Sequence, residues 1–267
     1  MRKYHLRAYL RVWLKLTAQL FQSQIANSRG AALLFIMGKL LRLATACLLV
    51  YVVVGRAKLI SGYSLNQAIF ILLLFNLIQT FSQLFLRGVY MFRQKVIDGT
   101  FDFYLLNPLS ELFYSLFSYT DPLDIVVFIP YLFLTGWGLV NAGYALTVWS
   151  ALIILLITIL TFIMVISWHV LIISIGVRYL EVDNTIMLYR DIERMGAFPV
   201  DIYGKLGQFL LTYLAPFALM ATIPAKYIFG QYNPLLLIVI AFLAYLELRL
   251  SIWFWQRCLI HYSSSSS

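Results

Sequence analysis

Long apolar segments constrain this chain more than any other feature of its sequence. A bilayer core requires about 20 consecutive apolar residues in a crossing helix, and six stretches meet that length. The clearest, residues 147–177, contains no Asp, Glu, Lys or Arg. We therefore predict an all-α, polytopic membrane protein with six transmembrane helices. The predicted spans are residues 31–55, 64–87, 123–143, 147–177, 206–229 and 234–257.

The amount of charge excludes a soluble fold. Of the 267 residues, 62% are hydrophobic and only 12% are charged, against roughly 25% charged residues in soluble domains. The net charge of +9 comes from basic residues that flank the apolar stretches, a distribution typical of membrane proteins and not of nucleic-acid-binding domains. We expect no nucleic-acid partner.

Basic residues are distributed unevenly between the predicted loops. If both termini are inside, the inner segments carry twelve Lys and Arg residues and the outer loops carry three. The positive-inside rule then predicts a multi-pass protein of the cytoplasmic (plasma) membrane whose N- and C-termini are both cytoplasmic. The three outer residues are Arg56, Lys58 and Lys226. The third inner segment, residues 178–205, includes Lys205.

The first 30 residues predict an amphipathic helix that lies on the membrane. Lys3, Arg7, Arg11 and Lys15 recur every four residues and share one helix face. A basic face beside an apolar face suits a helix under anionic lipid headgroups; a soluble amphipathic arm is the alternative. We divide the chain into this helix (1–30), a transmembrane domain (31–258) and a polar C-terminal tail (259–267).

The loop between the second and third spans, residues 89–120, is the most informative loop. Gly99 can turn the chain, and Asn107-Pro108 is typical of an N-cap followed by the first helical residue. Asp121-Pro122 repeats this signal at the start of the third span. The predicted helix either shields the end of the bundle or offers a surface to a cytoplasmic partner. Its apolar residues fall at helical spacing: Leu109, Leu112, Phe113, Leu116 and Phe117.

Five charged or titratable residues lie inside the apolar stretches, where charge is costly. Lys39 and Arg42 are close enough to the start of the first span to reach the cytoplasmic interface. Glu247 and Arg249 lie in the middle of the last span; they can pair within the bundle or line a polar route, and Glu247 can also reach a cation on another span. His169 is either a proton relay or a hydrogen-bonded structural residue.

Several enzymatic motifs are missing from the sequence. Lys39 follows Gly38, but position 33 is Leu and position 40 is Leu, so the phosphate-binding loop pattern is not met. The three histidines lack metal-ligand spacing, and no metal site is expected. Cys47 and Cys258 fit small apolar packing residues. We do not expect this chain to be an enzyme.

Three motifs resemble the bacterial six-span ABC type-2 permease family, and together they cover nearly the whole chain. Residues 99–108 match the pattern Gly-x-x-Asp-x-x-Leu-x-x-Pro. Residues 198–203 (Phe-Pro-Val-Asp-Ile-Tyr), with Pro216 and Pro224-Ala225, are similar to the family's pattern around the fifth span. Tyr262-Ser263-Ser264 is similar to its ending. Asn107 departs from the pattern, because many relatives carry a basic residue there.

The resemblance implies an export-type permease subunit that moves an unidentified substrate. Such subunits form a dimer with a second copy or a paralogue. They couple to separate ATP-binding cassette ATPase subunits, which would bind ATP and Mg²⁺, so no cofactor is expected in this chain. ATPase closure would push the loop, and the two permease bundles would alternate their access. Candidate coupling residues are Arg93, Gly99, Asp102, Leu105 and Pro108, with Leu112 and Phe113 on the docking face.

Two other functions remain open at this point. A secondary transporter driven by ions or protons would use His169 and Glu247, but it usually shows an internal repeat, which the sequence lacks. A membrane-embedded lipid-modifying enzyme would need polar residues clustered at one depth, whereas the charges here are scattered.

Overall fold

The computed structural model describes residues 6–27, 29–57, 61–179, 182–215, 217–231 and 233–262, and this part of the chain is helical. Five helical stretches are long and apolar enough to cross a membrane. These are Leu33–Val52, Leu65–Ile97, Leu123–Asn141, Val148–Tyr179 and Pro234–Ile260. The α-helices are α1 Leu6–Asn27, α2 Arg29–Ala57, α3 Leu65–Leu86, α4 Phe92–Ile97, α5 Thr100–Leu106, α6 Glu111–Phe117, α7 Pro122–Asn141, α8 Val148–Tyr179, α9 Val182–Met195, α10 Lys205–Phe209, α11 Thr222–Ile228 and α12 Pro234–Ile260.

Local sequence signals set the first residues of the long helices. Asp121 caps α7 through the Leu123 backbone N–H, with Pro122 as the first helical residue, as predicted. Asn233 and Pro234 start α12 in the same way. Ser64 and Gln67 form a reciprocal capping box at the start of α3. These caps satisfy backbone donors that have no partner within the helix.

Helix α8 is the centre of the bundle and packs against α3, α9, α11 and α12. The neighbouring pair α3 and α7 approaches closely at Gly138, where an added Cβ would lie 2.8 Å from the Leu73 Cδ1 atom. Small residues allow such close packing between helices in a membrane, where the hydrophobic effect does not drive helix association.

The two ends of the bundle differ in composition. One end holds α1, residues 87–120 and the C-terminal turns of α8 and α12. We call it the basic end, because it carries Arg93, Lys95, Arg178 and Arg257. At this end the Tyr262 hydroxyl donates to Asp102, and the Trp13 indole donates to Thr120. At the opposite end, the Asn66 side chain donates to the Asn141 backbone carbonyl at 2.8 Å. The first and last described helices therefore both reach the basic end.

The segment predicted as a cytoplasmic loop, residues 178–205, instead passes through the bundle. Near its start Asp183 pairs with Arg93 at the basic end, with 2.9 Å between the charged atoms. Its later residue Asp201 accepts a 2.8 Å hydrogen bond from Tyr63, which precedes α3 at the opposite end. Helix α9 and the chain that follows it thus run from the basic end to the opposite end of the bundle, in addition to the five long apolar helices.

The predicted fifth span, residues 206–229, is not one helix but a hairpin that opens toward the opposite end. The descending limb comprises α10 and a π-helical turn, Leu210–Leu214, and the Leu214 carbonyl accepts from Trp168 deep in α8. The chain then returns through a 3₁₀ turn, Phe217–Met220, to α11. There Lys226 pairs with Asp201, with 2.7 Å between the charged atoms.

A proline explains why the hairpin is not a continuous helix. Pro216 has no backbone N–H and disfavours a helical conformation in the preceding residue, and Ala215 is extended (φ −115°, ψ 97°). The backbone groups released at such a break need other partners. The Thr161 hydroxyl of α8, 3.3 Å from the Leu219 carbonyl oxygen, supplies one.

The structure places Lys205 at the opposite end, whereas the sequence predicted it in a loop at the basic end. We expect a cysteine at position 205, which is exposed, to react with an impermeant maleimide added outside intact cells. A cysteine at position 93 should react only after the cells are opened. Both variants are made with Cys47 and Cys258 replaced by alanine. Labelling of 93 but not of 205 in intact cells would show the reverse orientation. Labelling of neither would support the original prediction that residues 178–205 form a cytoplasmic loop.

Candidate coupling site and buried charges

Helix α5 is a seven-residue helix at the basic end. It starts after Gly99, whose φ of 74° turns the chain sharply, and the Asp98 carboxylate accepts from the Thr100 backbone N–H at 3.0 Å. It ends at Asn107, which is extended (φ −70°, ψ 150°) because Pro108 follows it. The predicted role of Gly99 as a turn residue is confirmed. The prediction that Asn107-Pro108 starts a helix is wrong, since it ends one.

Phe101 anchors α5 to the rest of the bundle. Its side chain is completely buried, and its ring makes edge-to-face contacts with Phe92, Trp255 and Tyr262 at centroid distances of 5.3, 6.1 and 5.0 Å. Aromatic contacts of this geometry add about 0.5–1.5 kcal/mol each beyond the buried area. Phe101 therefore ties α5 to α4 and to the end of α12.

A hydrogen bond reinforces this anchor. The Tyr262 hydroxyl donates to the Asp102 carboxylate at 2.9 Å. Burial, together with this hydrogen bond and the negative charge of Asp102, raises the pKa of Tyr262 to about 12. The phenol therefore keeps its proton and remains a donor throughout the physiological pH range.

The other face of α5 is apolar and exposed. Phe103 is 68% exposed and Leu106 is 82% exposed. Leu105 and the nearby Ile97 are also exposed, at 42% and 46%. Exposed apolar side chains that cluster on a rigid element mark an interaction surface. Of the predicted coupling residues, Gly99, Asp102, Leu105 and Pro108 belong to this helix or its two ends.

The apolar face predicted for docking lies on α6 and is covered by the chain itself. Leu109 and Leu116 are buried, with 6% and 2% exposure. Leu112 packs against the core, and the Phe113 ring contacts Tyr9 of α1 at 4.9 Å. Leu112 and Phe113 are half-buried, so their predicted role in docking stays a prediction. Apolar spacing shows that a face is buried but not whether the same chain or a partner buries it.

Helix α1 packs against residues 89–120 from the side. The Tyr9 hydroxyl is 3.4 Å from the Ser110 backbone N–H, and the Trp13 indole donates to Thr120 at 2.9 Å. On its outer side α1 exposes Arg7, Arg11 and Lys15, next to an exposed row of apolar residues. That row comprises Leu6, Leu10, Leu14 and Phe21. Arg93, the remaining predicted coupling residue, pairs with Asp183 of α9, and both side chains are about half exposed.

Where α2, α3 and α7 meet lies a largely buried group of charges, which we call the charge cluster. It comprises Lys39, Arg87, Asp121 and Asp124. Lys39 pairs with Asp124, and Arg87 Nη1 lies 2.6 Å from Asp121 and 3.0 Å from Asp124. Asp124 is completely buried. Lys39 is thus paired within the bundle, whereas we predicted that it reaches the interface. The two carboxylates at the start of α7 were visible in the sequence but had no identifiable partner.

Arg42 belongs to a second polar network. One of its guanidinium nitrogens, Nη2, is 3.3 Å from the Gln79 side-chain oxygen. The Gln79 amide donates in turn to Glu193 of α9 at 3.0 Å. Both Gln79 and Glu193 are buried, so this chain of hydrogen bonds ties α2, α3 and α9 together inside the bundle. Sequence reasoning missed Glu193 because residues 178–205 were interpreted as a loop.

The remaining polar candidates do not come together. His169 is buried, its Nδ1 atom is 2.8 Å from the Val165 carbonyl of the same helix, and its ring contacts Tyr189. Arg249 is exposed on the outside of α12. The Oε2 atom of Glu247 is buried without a hydrogen-bond partner among the described residues. In that part of the chain no ion pair links Glu247 to Arg249.

Comparison with known families assigns the chain. The family model described as ABC-2 family transporter protein matches residues 40–266. The match covers the first long apolar helix from Leu40 onward, the other four long apolar helices and residues 89–120. The chain belongs to the ABC-2 transporter family. It is therefore the membrane component of an ATP-binding cassette transporter, a family whose permeases work with ATPase partners. No curated protein and no solved structure matches the chain.

Proposed function

We propose that this chain is the permease subunit of an ABC exporter and that α5 is its coupling helix. The observation that carries the proposal is the combination of an exposed apolar face on α5 with the buried anchor at Phe101. A partner that presses on Phe103 and Leu106 would move α5, α4 and the end of α12 together. ATP and Mg²⁺ would bind to separate ATPase subunits, which would drive alternating access in a pair of permease chains.

The orientation of the proposed exporter follows from the basic residues. Moving Lys205 to the opposite end, and no longer counting Arg190 and Arg194 of α9 as loop residues, changes the tally from twelve against three to nine against four. This still favours the basic end as the cytoplasmic one. Both termini and α5 would then face the cytoplasm of a bacterial cell. The exposed basic and apolar residues of α1 would lie among anionic lipids at that surface.

The proposal is tested by purifying the chain in mild detergent from membranes that contain its natural partners. We expect an ATP-binding cassette ATPase to co-purify, with Mg²⁺-dependent ATP hydrolysis in the complex and none in the chain alone. In liposomes, export should require that ATPase. Transport by the chain alone, driven by an ion or proton gradient, would contradict the exporter and favour a secondary transporter.

A further inference from the structure

A cavity of about 240 Å³ lies between the last turn of α3, the 3₁₀ turn Arg87–Met91 that follows it, and α9. It is lined by Gln83, Arg87, Tyr90, Met91 and Arg190. Two of these five side chains are cations and none is a carboxylate. The cavity therefore suits a ligand that carries negative charge.

The 3₁₀ turn that forms one wall of the cavity is packed firmly against the bundle. Val89 is completely buried, and a Cβ added at Gly88 would lie 3.0 Å from the Leu116 backbone oxygen of α6. On the α9 side, the Arg190 guanidinium carbon lies over the Tyr90 ring, 5.4 Å from its centroid. Both walls of the cavity are thus positioned by contacts within the chain.

The two arginines keep donors available for a ligand. Arg190 has no ion-pair partner among the described residues. Arg87 contacts both carboxylates of the charge cluster through Nη1, which leaves Nε and Nη2 without a carboxylate in that part of the chain. A guanidinium carries five N–H donors in a planar fork that matches a phosphate group.

The carboxylates near the cavity are already engaged by other partners. Asp121 and Asp124 belong to the charge cluster, and Glu193 accepts a hydrogen bond from the Gln79 amide. Glu193 also interacts electrostatically with Arg190, but from beyond ion-pair distance. These acidic groups therefore do not occupy the donors that line the cavity.

The cavity lies at the level of helix α1. Gln83 and Arg87 lie two residues before and two residues after Phe85, whose ring stacks on that of Trp13 in α1 at a centroid distance of 5.6 Å. Because α1 is proposed to lie among the lipid headgroups, the cavity shares their depth. Met91 is 48% exposed and offers an apolar surface to an acyl chain.

We propose that this cavity binds the phosphate group of a membrane lipid. Arg190 and the free edge of Arg87 are its cationic donors, and the Gln83 amide and the Tyr90 hydroxyl are further donors. Basic pockets between membrane-spanning helices at headgroup depth favour anionic lipids. A phosphate bound there joins the 3₁₀ turn to α9. The inference goes beyond the proposed function, since it holds whether or not the chain works with an ATPase.

Native mass spectrometry tests the class of ligand. The full chain is purified in detergent, washed free of lipid, and mixed with dioleoylphosphatidylglycerol, with dioleoylglycerol or with glycerol 3-phosphate. We expect the phosphate lipid to bind at least roughly tenfold more tightly than either of the other two, because one lacks the anion and the other lacks the acyl chains. Equal binding of the two acyl lipids would overturn the proposal. Tight binding of glycerol 3-phosphate would keep the phosphate site and assign it to a soluble phosphate compound.

Substitutions at Arg190 test the location of the site. In Arg190→Gln, the affinity for dioleoylphosphatidylglycerol should fall about tenfold or more, because charge-assisted hydrogen bonds to the phosphate are lost. Arg190→Lys keeps the charge without the planar fork and should be intermediate. The matched control is Arg249→Gln, which removes an exposed arginine of α12 and should bind like the unmodified chain. An equal loss in this control, or no loss in Arg190→Gln, would overturn the site.

Thermal unfolding separates lipid binding from folding. Without lipid, Arg190→Gln should unfold at the same temperature as the unmodified chain, because Arg190 is only partly buried. Excess dioleoylphosphatidylglycerol should raise the midpoint of the unmodified chain, since a ligand that binds the folded state stabilises it. It should leave the midpoint of the variant nearly unchanged. An equal rise in both would show that the lipid acts elsewhere and would contradict the proposal.

Discussion

Replacing Phe103 and Leu106 with aspartate is expected to abolish assembly with the ATPase while the chain still inserts and folds. Both side chains are mostly exposed in the isolated subunit, so aspartate there removes no internal packing. In the complex, each unpaired charge buried in an apolar contact would cost several kcal/mol. Two such charges would weaken binding at least roughly 1,000-fold. Co-purification and Mg²⁺-dependent ATP hydrolysis measure the loss.

The matched control is Leu206→Asp. Leu206 is 72% exposed but lies on α10, at the end of the bundle opposite to α5. It should leave the complex and its ATPase activity intact. If the α5 variant assembles as well as this control, α5 is not the coupling helix.

Aspartates at Leu112 and Phe113 would not test coupling cleanly. Leu112 packs against the core and Phe113 against Tyr9, so both substitutions attack the subunit's own structure. A lost complex in that variant would not separate docking from folding. Coupling is therefore better tested by substitutions on α5 than by substitutions on α6.

Replacing Asp124 with asparagine is expected to destabilise the subunit strongly. Asp124 is completely buried and faces both Lys39 and Arg87, so the substitution leaves two cations with Asp121 as their remaining carboxylate in the charge cluster. Removing one partner of a buried ion pair costs about 3–5 kcal/mol. The midpoint of thermal unfolding in detergent should fall accordingly.

Two further variants serve as controls for the Asp124→Asn result. Asp183→Asn breaks an ion pair whose side chains are 49% and 55% exposed, and exposed pairs contribute about 0–1 kcal/mol, so its midpoint should hardly change. Lys39→Met combined with Asp124→Leu removes a cation together with its carboxylate and should recover part of the loss. If Asp124→Asn unfolds at the same temperature as Asp183→Asn, the charge cluster does not stabilise the fold.

The sequence predicted most of the helices because apolar length is sufficient evidence for a crossing helix. The predicted fifth span was assigned to the wrong segment: α9 crosses the bundle, and residues 206–229 form a hairpin. Residues 206–229 are apolar enough to span but fold back at Ala215-Pro216, and apolarity does not distinguish a hairpin from a span. Helix α9 carries Asp191, Glu193 and Arg194, which suggested a loop; only its contacts with α3 and α8 show that it passes through the bundle.

In residues 89–120, too, local backbone features were predictable from the sequence but contacts with distant residues were not. Gly99 and Asp121-Pro122 act through local backbone rules, and their predicted roles are confirmed. Which face of a short amphipathic helix stays free depends on distant neighbours such as Tyr9 and Trp255, which periodicity does not reveal. The charge cluster was missed for the same reason, since Lys39 and Asp124 are 85 residues apart along the chain.

The polar character of α9 has a consequence for biogenesis. A charged residue at the centre of a helix opposes recognition by the insertion machinery by about 2.5–3.5 kcal/mol, and α9 carries several over only 14 residues. This pass is therefore not inserted by its own apolarity. It must be drawn into place by neighbours already in the membrane, with Tyr189 against His169 of α8 and Glu193 against Gln79 of α3. We therefore expect α9 to take its place after α3 and α8, against which it packs.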